Sequence, residues 1–291
     1  MTENDKFVWA GYVDLSALPA PEIVETLDFE VIFQELLSDF RSRRPEYSAL
    51  VESDPVIVAL QCAAYRELLL RNRINEAAKA NMLAYAIGTD LDNLATFYGI
   101  ERLDNEPDER LRYRALLSLQ SLTTAGSEKA YRFHALSASP LIKSVTAKSP
   151  EKGRILITIL STSGYGTADK ELINTVTEYV SAEDKRPLTD HVKVQSAEIV
   201  EFQVHAKVSV FAGPAATITE EEFRTNLERY LARQHNIGSV VALSGIFDAM
   251  HTEGVQHVKL IAPVADITTT KEQAAYCTEI SLEVEIINAR N

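Results

Sequence analysis

The chain has 291 residues, of which 46% are hydrophobic, so it is long enough for about two domains with their own cores. Its formal net charge is −13, and residues 1–54 alone hold 12 acidic and 4 basic side chains. Nucleic acids and anionic membranes both attract clustered lysine and arginine, so this balance argues against both as partners. An acidic segment of this kind either docks on a basic protein surface or is solvated.

No run of 18 uncharged apolar residues occurs, so we expect no membrane span. The acidic N-terminus lacks the apolar stretch of a signal peptide, so we expect no secretion signal. The two cysteines, Cys62 and Cys277, lie in apolar or strand-like contexts. They are predicted to be buried thiols of a protein made in a reducing compartment.

Residues 1–27 have the composition of an extended arm. Pro19 and Pro21 remove two backbone donors and favour a polyproline-like backbone. The aliphatic side chains around them are too many for a free tail, so we predict that the arm lies along a surface, its own or a neighbour's. Pro19 and Pro21 are therefore candidate interface residues.

Residues 28–125 are predicted to form a helical bundle region. Asp28 begins a helix that runs to about Arg43, with apolar residues at helical spacing. Residues 55–87 then run for 33 positions without a glycine or a second proline. With Asp54 as N-cap, Pro55 in the first turn and Gly88 as a left-handed stop, the pattern predicts one helix of roughly 50 Å, which we call the rod.

The first half of the rod is apolar almost all round, and such a surface has to be covered from several sides. A chain of this size has little left to cover it, so we predict that other chains do. The candidate interface residues on the rod are Leu60, Ala64, Tyr65, Leu68, Leu69, Ile74 and Ala78.

After the rod, a short helix is predicted to end at Gly99, and residues 108–122 form another helix. On that helix, Arg110 and Arg114 are predicted at the surface, and Leu119 is predicted to point inward. From about residue 126 short strands and helices alternate, which predicts two small α/β domains at 126–198 and 199–291. The fold class is thus α+β, with an extended arm and a long-helix region followed by two small sheet domains.

In the second α/β domain, the strand at residues 199–211 alternates apolar and polar side chains, and the last strand is predicted near residues 280–287. Val204 and Val208 on the first of these strands complete the candidate interface residues. Thr219 and Glu222 are spaced as a capping box for the following helix.

Few residues suggest chemistry. His251, His257 and Cys277 can be drawn as a zinc site, but their spacing matches no established pattern, and ordinary packing is favoured. Glu67 and Asp90 are acidic groups of the type that glycoside hydrolysis uses, which keeps a cell-wall hydrolase open as the alternative function. Pairing of Glu67 with nearby arginines and a helix-dipole role for Asp90 are the simpler interpretations. We therefore predict no enzyme activity, cofactor or metal.

With these elements in place, the chain resembles the baseplate assembly protein J family of contractile-tailed phages and phage tail-like bacteriocins. The stretches that carry the resemblance extend over nearly the whole chain: DLSALPAP (14–21), ESDPV (52–56), AYREL (64–68), RINEAA (73–78), AYAIGTDLD (84–92), DKRP (184–187), TDHVKV (189–194), GVQHV (254–258) and APVADI (262–267). The chain departs from the family between Asn105 and Asp108, where members can carry an insertion.

The resemblance implies a structural role in a baseplate wedge. Two copies would join a different wedge protein through a helical bundle, and the α/β domains would pair between wedges. The resulting ring would surround the central hub or sheath-initiating protein and widen when the sheath contracts. The chain would be made in the bacterial host cytoplasm and end in the baseplate of a virion or tail-like particle.

Overall fold

The computed structural model describes residues 27–47, 49–121, 126–183, 185–211, 220–252 and 254–287. The chain divides into two compact units, Met1–Glu101 and Arg102–Asn291. Helices make up the described part of the first unit, and helices with small sheets make up the second. The predicted α+β class is confirmed.

The first unit holds helices α1 (Phe29–Arg43), α2 (Pro55–Ala80) and α3 (Gly88–Phe97). The predicted bounds of α1 are confirmed. The carboxylate of Asp28 caps it by accepting from the N–H groups of Glu30 at 2.9 Å and Val31 at 3.1 Å. Two arginines in its last turn meet the negative end of the helix dipole.

The rod is shorter than predicted, because α2 has 26 residues and ends at Ala80. Asn81 ends the helix, and its side-chain amide donates to the carbonyl of Ala77 at 2.8 Å. Gly88 has the expected positive φ of 53°, but it begins α3 instead of ending the rod. Asp54 does not cap the first turn with its side chain, since its carboxylate accepts the N–H of Val51 at 2.8 Å.

The second unit begins with helices α4 (Asp108–Ser121) and α5 (Glu128–Ala138). Strands β1 (Ile142–Glu151) and β2 (Arg154–Ser161) form an antiparallel pair. Helix α6 (Lys170–Val180) then leads to β3 (His191–Ser196), which lies parallel to β2 at the other side of it. The contacts of α4 group it with the sheets of the second unit.

The second sheet has the order β6-β4-β8, with β4 (Glu198–Phe211) in the centre. Its other elements are α7 (Glu220–Gln234), β5 (Val240–Val241), α8 (Leu243–Met250), β6 (Val255–Ala262), β7 (Ile267–Thr268) and β8 (Gln273–Ile287). Strand β8 therefore begins seven residues before the predicted position 280. Thr219 of the predicted capping box lies outside the described residues.

The interface prediction for Val204 and Val208 needs correction. Both side chains are 0% exposed and belong to the core that the second sheet forms with α7 and α8. An alternating strand puts one set of side chains on each face, and here the apolar set faces the covering helices. These two valines hold the second unit together and are not at its surface.

A buried ion cluster joins α4 to its neighbours. Glu106, with its side chain 0% exposed, accepts from Arg114 at 2.6 Å and also from Arg110. Arg110 donates further to the carbonyls of Leu136 at 2.6 Å and Ser139 at 2.7 Å. Burial lowers the pKa of Arg110, and the Glu106 carboxylate opposes that effect.

This cluster overturns the predicted surface positions of Arg110 and Arg114. Leu119, which was predicted to point inward, is 51% exposed. Arg110 reaches the carbonyl of Leu136 in the last turn of α5 and that of the C-cap residue Ser139, which an isolated helical pattern does not reveal.

Candidate protein interaction surface

One face of α2 packs against α1. Leu60 and Leu68 are partly buried there, and Ala64 is fully buried. On α1 they meet a core that contains Ile32, Phe33 and Leu37. The alanine allows the two helices to approach closely, so Leu60, Ala64 and Leu68 stabilise the α1–α2 pair itself.

The rest of the α2 circumference stays apolar and exposed. Of the predicted interface residues, Tyr65, Leu69 and Ile74 are 54%, 42% and 63% exposed, and Ala78 is half-buried. Two further residues that we did not select, Val58 and Leu70, are 48% and 64% exposed. We call the five exposed side chains the outer α2 surface: Val58, Tyr65, Leu69, Leu70 and Ile74.

The outer α2 surface forms two stripes. At about 100° per residue, Val58, Tyr65 and Leu69 lie within about 40° of one another, and Leu70 and Ile74 form a second group of similar width. The two stripes and the face covered by α1 are roughly a third of a turn apart. Helix α2 therefore has one covered side and two apolar sides without cover from the described residues.

Charged side chains edge these stripes. Arg66 and Arg73 are exposed and lie between them on the helical wheel. Glu67 pairs with Arg71 at 2.5 Å, and Arg71 also approaches Glu35 of α1 at 3.7 Å. The pair around Arg71 therefore belongs to the α1–α2 contact, whereas Arg66 and Arg73 lie between the two exposed stripes.

The prediction that both cysteines are buried is wrong for Cys62. Cys62 is exposed and lies on the first stripe, next to Val58 and Tyr65 along the helix face. Cys277 of β8 is half-buried, and burial raises the pKa of its thiol.

The residues proposed for chemistry do not form a constellation. Glu67 is held by an arginine of its own helix, and Asp90 is exposed in the first turn of α3. His251, His257 and Cys277 do not come together with other ligands, and no group of three metal-binding side chains occurs among the described residues. None of the helices described is both long and apolar enough to cross a lipid bilayer. Pro19 and Pro21 of the arm lie outside the described residues.

An exposed apolar surface of this extent is typical of a binding site for another protein. The exposed fractions of its five side chains add up to roughly three whole side chains. Burial of these side chains by another protein would contribute ~4–8 kcal/mol to binding, before the cost of association is subtracted. The periodicity showed that the helix is apolar all round. It did not show which third of the helix α1 covers, so it does not distinguish the covered Leu60 and Ala64 from the exposed Val58 and Leu70.

Comparison with known proteins identifies relatives that match most of the chain. The Baseplate J-like N-terminal domain matches residues 52–109, which include α2 and α3, and the Baseplate J-like central domain matches residues 123–196. Baseplate protein J of Escherichia phage P2 is 38% identical over 289 residues, which cover 92% of this chain and 96% of the relative. The resemblance inferred from the sequence is confirmed. The chain belongs to the baseplate protein J family.

Proposed function

We propose that the chain is a structural component of the baseplate wedge of a contractile tail. In this proposal, two copies join a different wedge protein through a helical bundle in which α2 is a central helix. The observation that carries the proposal is the outer α2 surface, which is apolar and exposed over a helix of about 39 Å.

The arrangement of the stripes supports a bundle with several members. A helix that is apolar on three sides needs three neighbours, and α1 supplies one of them. The two uncovered stripes then accept one helix each, from the second copy and from the different wedge chain. Arg66 and Arg73 would select partners that carry carboxylates opposite them.

The α/β unit has a separate role in the proposal. It contacts the same unit of a neighbouring wedge, and these contacts form a ring around the central hub or sheath-initiating protein. The ring widens when the sheath contracts. These features follow from the family resemblance, as do assembly in the bacterial host cytoplasm and final location in the baseplate.

A photo-crosslinking amino acid at position 65 tests the bundle directly. Tyr65 is 54% exposed on the first stripe, and Tyr165 in the second unit is 53% exposed, which makes it a matched control position. Irradiated particles should give adducts from position 65 to the second copy and to a different wedge chain. Position 165 should give no adducts to α2 of the second copy. The bundle is refuted if position 65 forms no link to any other chain.

The alternative function, a tail-associated cell-wall hydrolase, has no specific support in the structure. Glu67 is occupied by Arg71, and Asp90 belongs to a different helix. Cell-wall clearing by the purified chain, lost in Glu67→Gln and retained in Glu76→Gln on the exposed side of the same helix, would restore this alternative.

A further inference from the structure

The second sheet has two open edges among the described residues. Its order is β6-β4-β8, so β6 and β8 each have one side without a paired strand. On β8, Ile237 bridges Ala274, and the side chain of Arg224 donates to the carbonyl of Ile280 at 3.2 Å. From that point to Ile287, no described strand pairs with the outer side of β8. Open edges present unpaired N–H and C=O groups that can pair with another strand.

On the sheet face away from α7 and α8, the β6 edge carries positive charge and the β8 edge carries negative charge. The charged exposed side chain on β6 is Lys259, with the exposed His257 two residues before it, and those on β8 include Glu283 and Glu285. The strand register places Lys259 beside Lys207 of β4, and Lys207 beside Glu283. The charge therefore runs from positive at the β6 edge to negative at the β8 edge.

An ion pair between Lys207 of β4 and Glu283 of β8 forms on this face of the sheet. The Nζ of Lys207 lies 2.5 Å from Glu283, and both side chains remain about half exposed or more. The hydrogen bond from Lys207 to Glu283 raises the pKa of Lys207, and the charge of Glu285 adds to the effect. Within the sheet, Lys259 lies beside Lys207, which is also positive. A carboxylate that pairs with Lys259 as Glu283 pairs with Lys207 would therefore have to lie beyond the β6 edge.

The strand directions allow the two edges to join. Strand β6 is antiparallel to β4 and β8 is parallel to it, so β6 and β8 run in opposite directions. A second copy placed beside the first in the same orientation would set its β6 against the first copy's β8 as an antiparallel pair. Lys259 would then face Glu283 or Glu285, whereas two β8 edges would set carboxylates against carboxylates, which is unfavourable.

We infer that the β6 edge of one copy pairs with the β8 edge of the next, so that the second sheet continues from copy to copy. The inference rests on the proposed function, since it assigns the contact between wedges to these strands. A contact between two different patches of the same chain forms a closed ring when the rotation per copy closes, and the proposed ring allows such a contact. The occupant of each edge is a second copy of this chain.

Charge reversal tests the pairing. One variant carries His257→Glu with Lys259→Glu, a second carries Glu283→Lys with Glu285→Lys, and a third combines all four changes. Each two-residue variant should lower the yield of assembled particles at least about tenfold, because like charges then meet at every edge contact. The four-residue variant restores complementary edges in every copy and should recover most of that loss.

Matched controls separate the edges from net charge. Lys193→Glu on β3 and Glu178→Lys on α6 change exposed residues away from both edges, and neither should lower particle yield. Thermal unfolding of each purified variant checks that it folds. The inference is overturned if the two-residue variants assemble as well as wild type, or if the four-residue variant is no better than they are.

Crosslinking of wild-type particles gives a readout that does not depend on variants. Particles assembled from a mixture of ¹⁴N- and ¹⁵N-labelled chains are treated with a carbodiimide, which joins an amine to a carboxylate with loss of water. Peptides that link Lys259 to Glu283 or Glu285 should include pairs in which one half is labelled and the other is unlabelled. Their absence from intact particles overturns the edge pairing. Failure of the proposed function would look different, because the wild-type chain itself would then be missing from baseplates.

Discussion

Replacement of Leu69 by aspartate separates assembly from folding. Leu69 is 42% exposed on the outer α2 surface, and its neighbour Leu68 packs against α1. Leu69→Asp should leave the isolated chain folded, because an exposed substitution changes the free energy of unfolding by about 0.5 kcal/mol. Leu68→Asp puts a carboxylate into the α1–α2 contact and should unfold that pair.

The expected effect of Leu69→Asp on assembly is large. Cover of the exposed part of one leucine contributes about 1 kcal/mol. A carboxylate buried without a partner costs several kcal/mol more, so the total loss is ~3–5 kcal/mol. That loss weakens binding at least about 100-fold.

The assay compares two readouts for each variant. Thermal unfolding followed by circular dichroism reports the fold of the isolated chain, and co-purification with the other baseplate chains reports assembly. Leu119→Asp on α4, where the leucine is 51% exposed, repeats the same chemical change away from α2 and should assemble normally. Normal particle yield with Leu69→Asp would refute the role of the outer α2 surface, and so would unfolding as severe as that of Leu68→Asp.

Three further predictions concern stability and self-association. Glu106→Gln should lower the free energy of unfolding by ~3–5 kcal/mol in urea denaturation, since it leaves two buried guanidinium groups without their carboxylate, whereas the exposed control Glu109→Gln should change it by less than about 0.5 kcal/mol. Burial lowers the pKa of Lys143 from 10.5 to about 8, so the unfolded chain binds more protons between these values and the free energy of unfolding should rise with pH across that window. Lys143→Met should remove this rise and stabilise the chain by up to about 3 kcal/mol at pH 7, and equal pH profiles for the two proteins would contradict it. The isolated chain should self-associate with increasing concentration in analytical ultracentrifugation, and an equally strong association of Leu69→Asp would show that α2 is not the contact.

Local patterns predicted most of the secondary structure. Asp28 marked the start of α1 because a side-chain acceptor before an apolar helical repeat satisfies the free N–H groups of the first turn. The alternating strand β4 was recognised because a sheet with one covered face requires period two. The end of α2 was missed because no glycine or proline marks it, and Asn81 stops the helix through its own side chain.

Tertiary contacts decided the features that the sequence left open. Glu106 lies in a loop, four and eight residues before the arginines that it binds, and nothing in its neighbourhood indicates burial. The sequence of α2 likewise does not show which residues are buried, because apolar residues lie on all sides of this helix. Only the position of α1 distinguishes Leu68, which stabilises the α1–α2 pair, from Leu69, which is exposed.

The central claim is that other chains cover the two apolar stripes of α2. A cryo-electron microscopy map of the assembled baseplate tests it most directly, at a resolution that shows side chains along residues 55–80. We expect helices from other subunits to contact Val58, Tyr65 and Leu69 on one side and Leu70 and Ile74 on the other. A map in which solvent or only the chain's own residues surround these side chains would contradict the account.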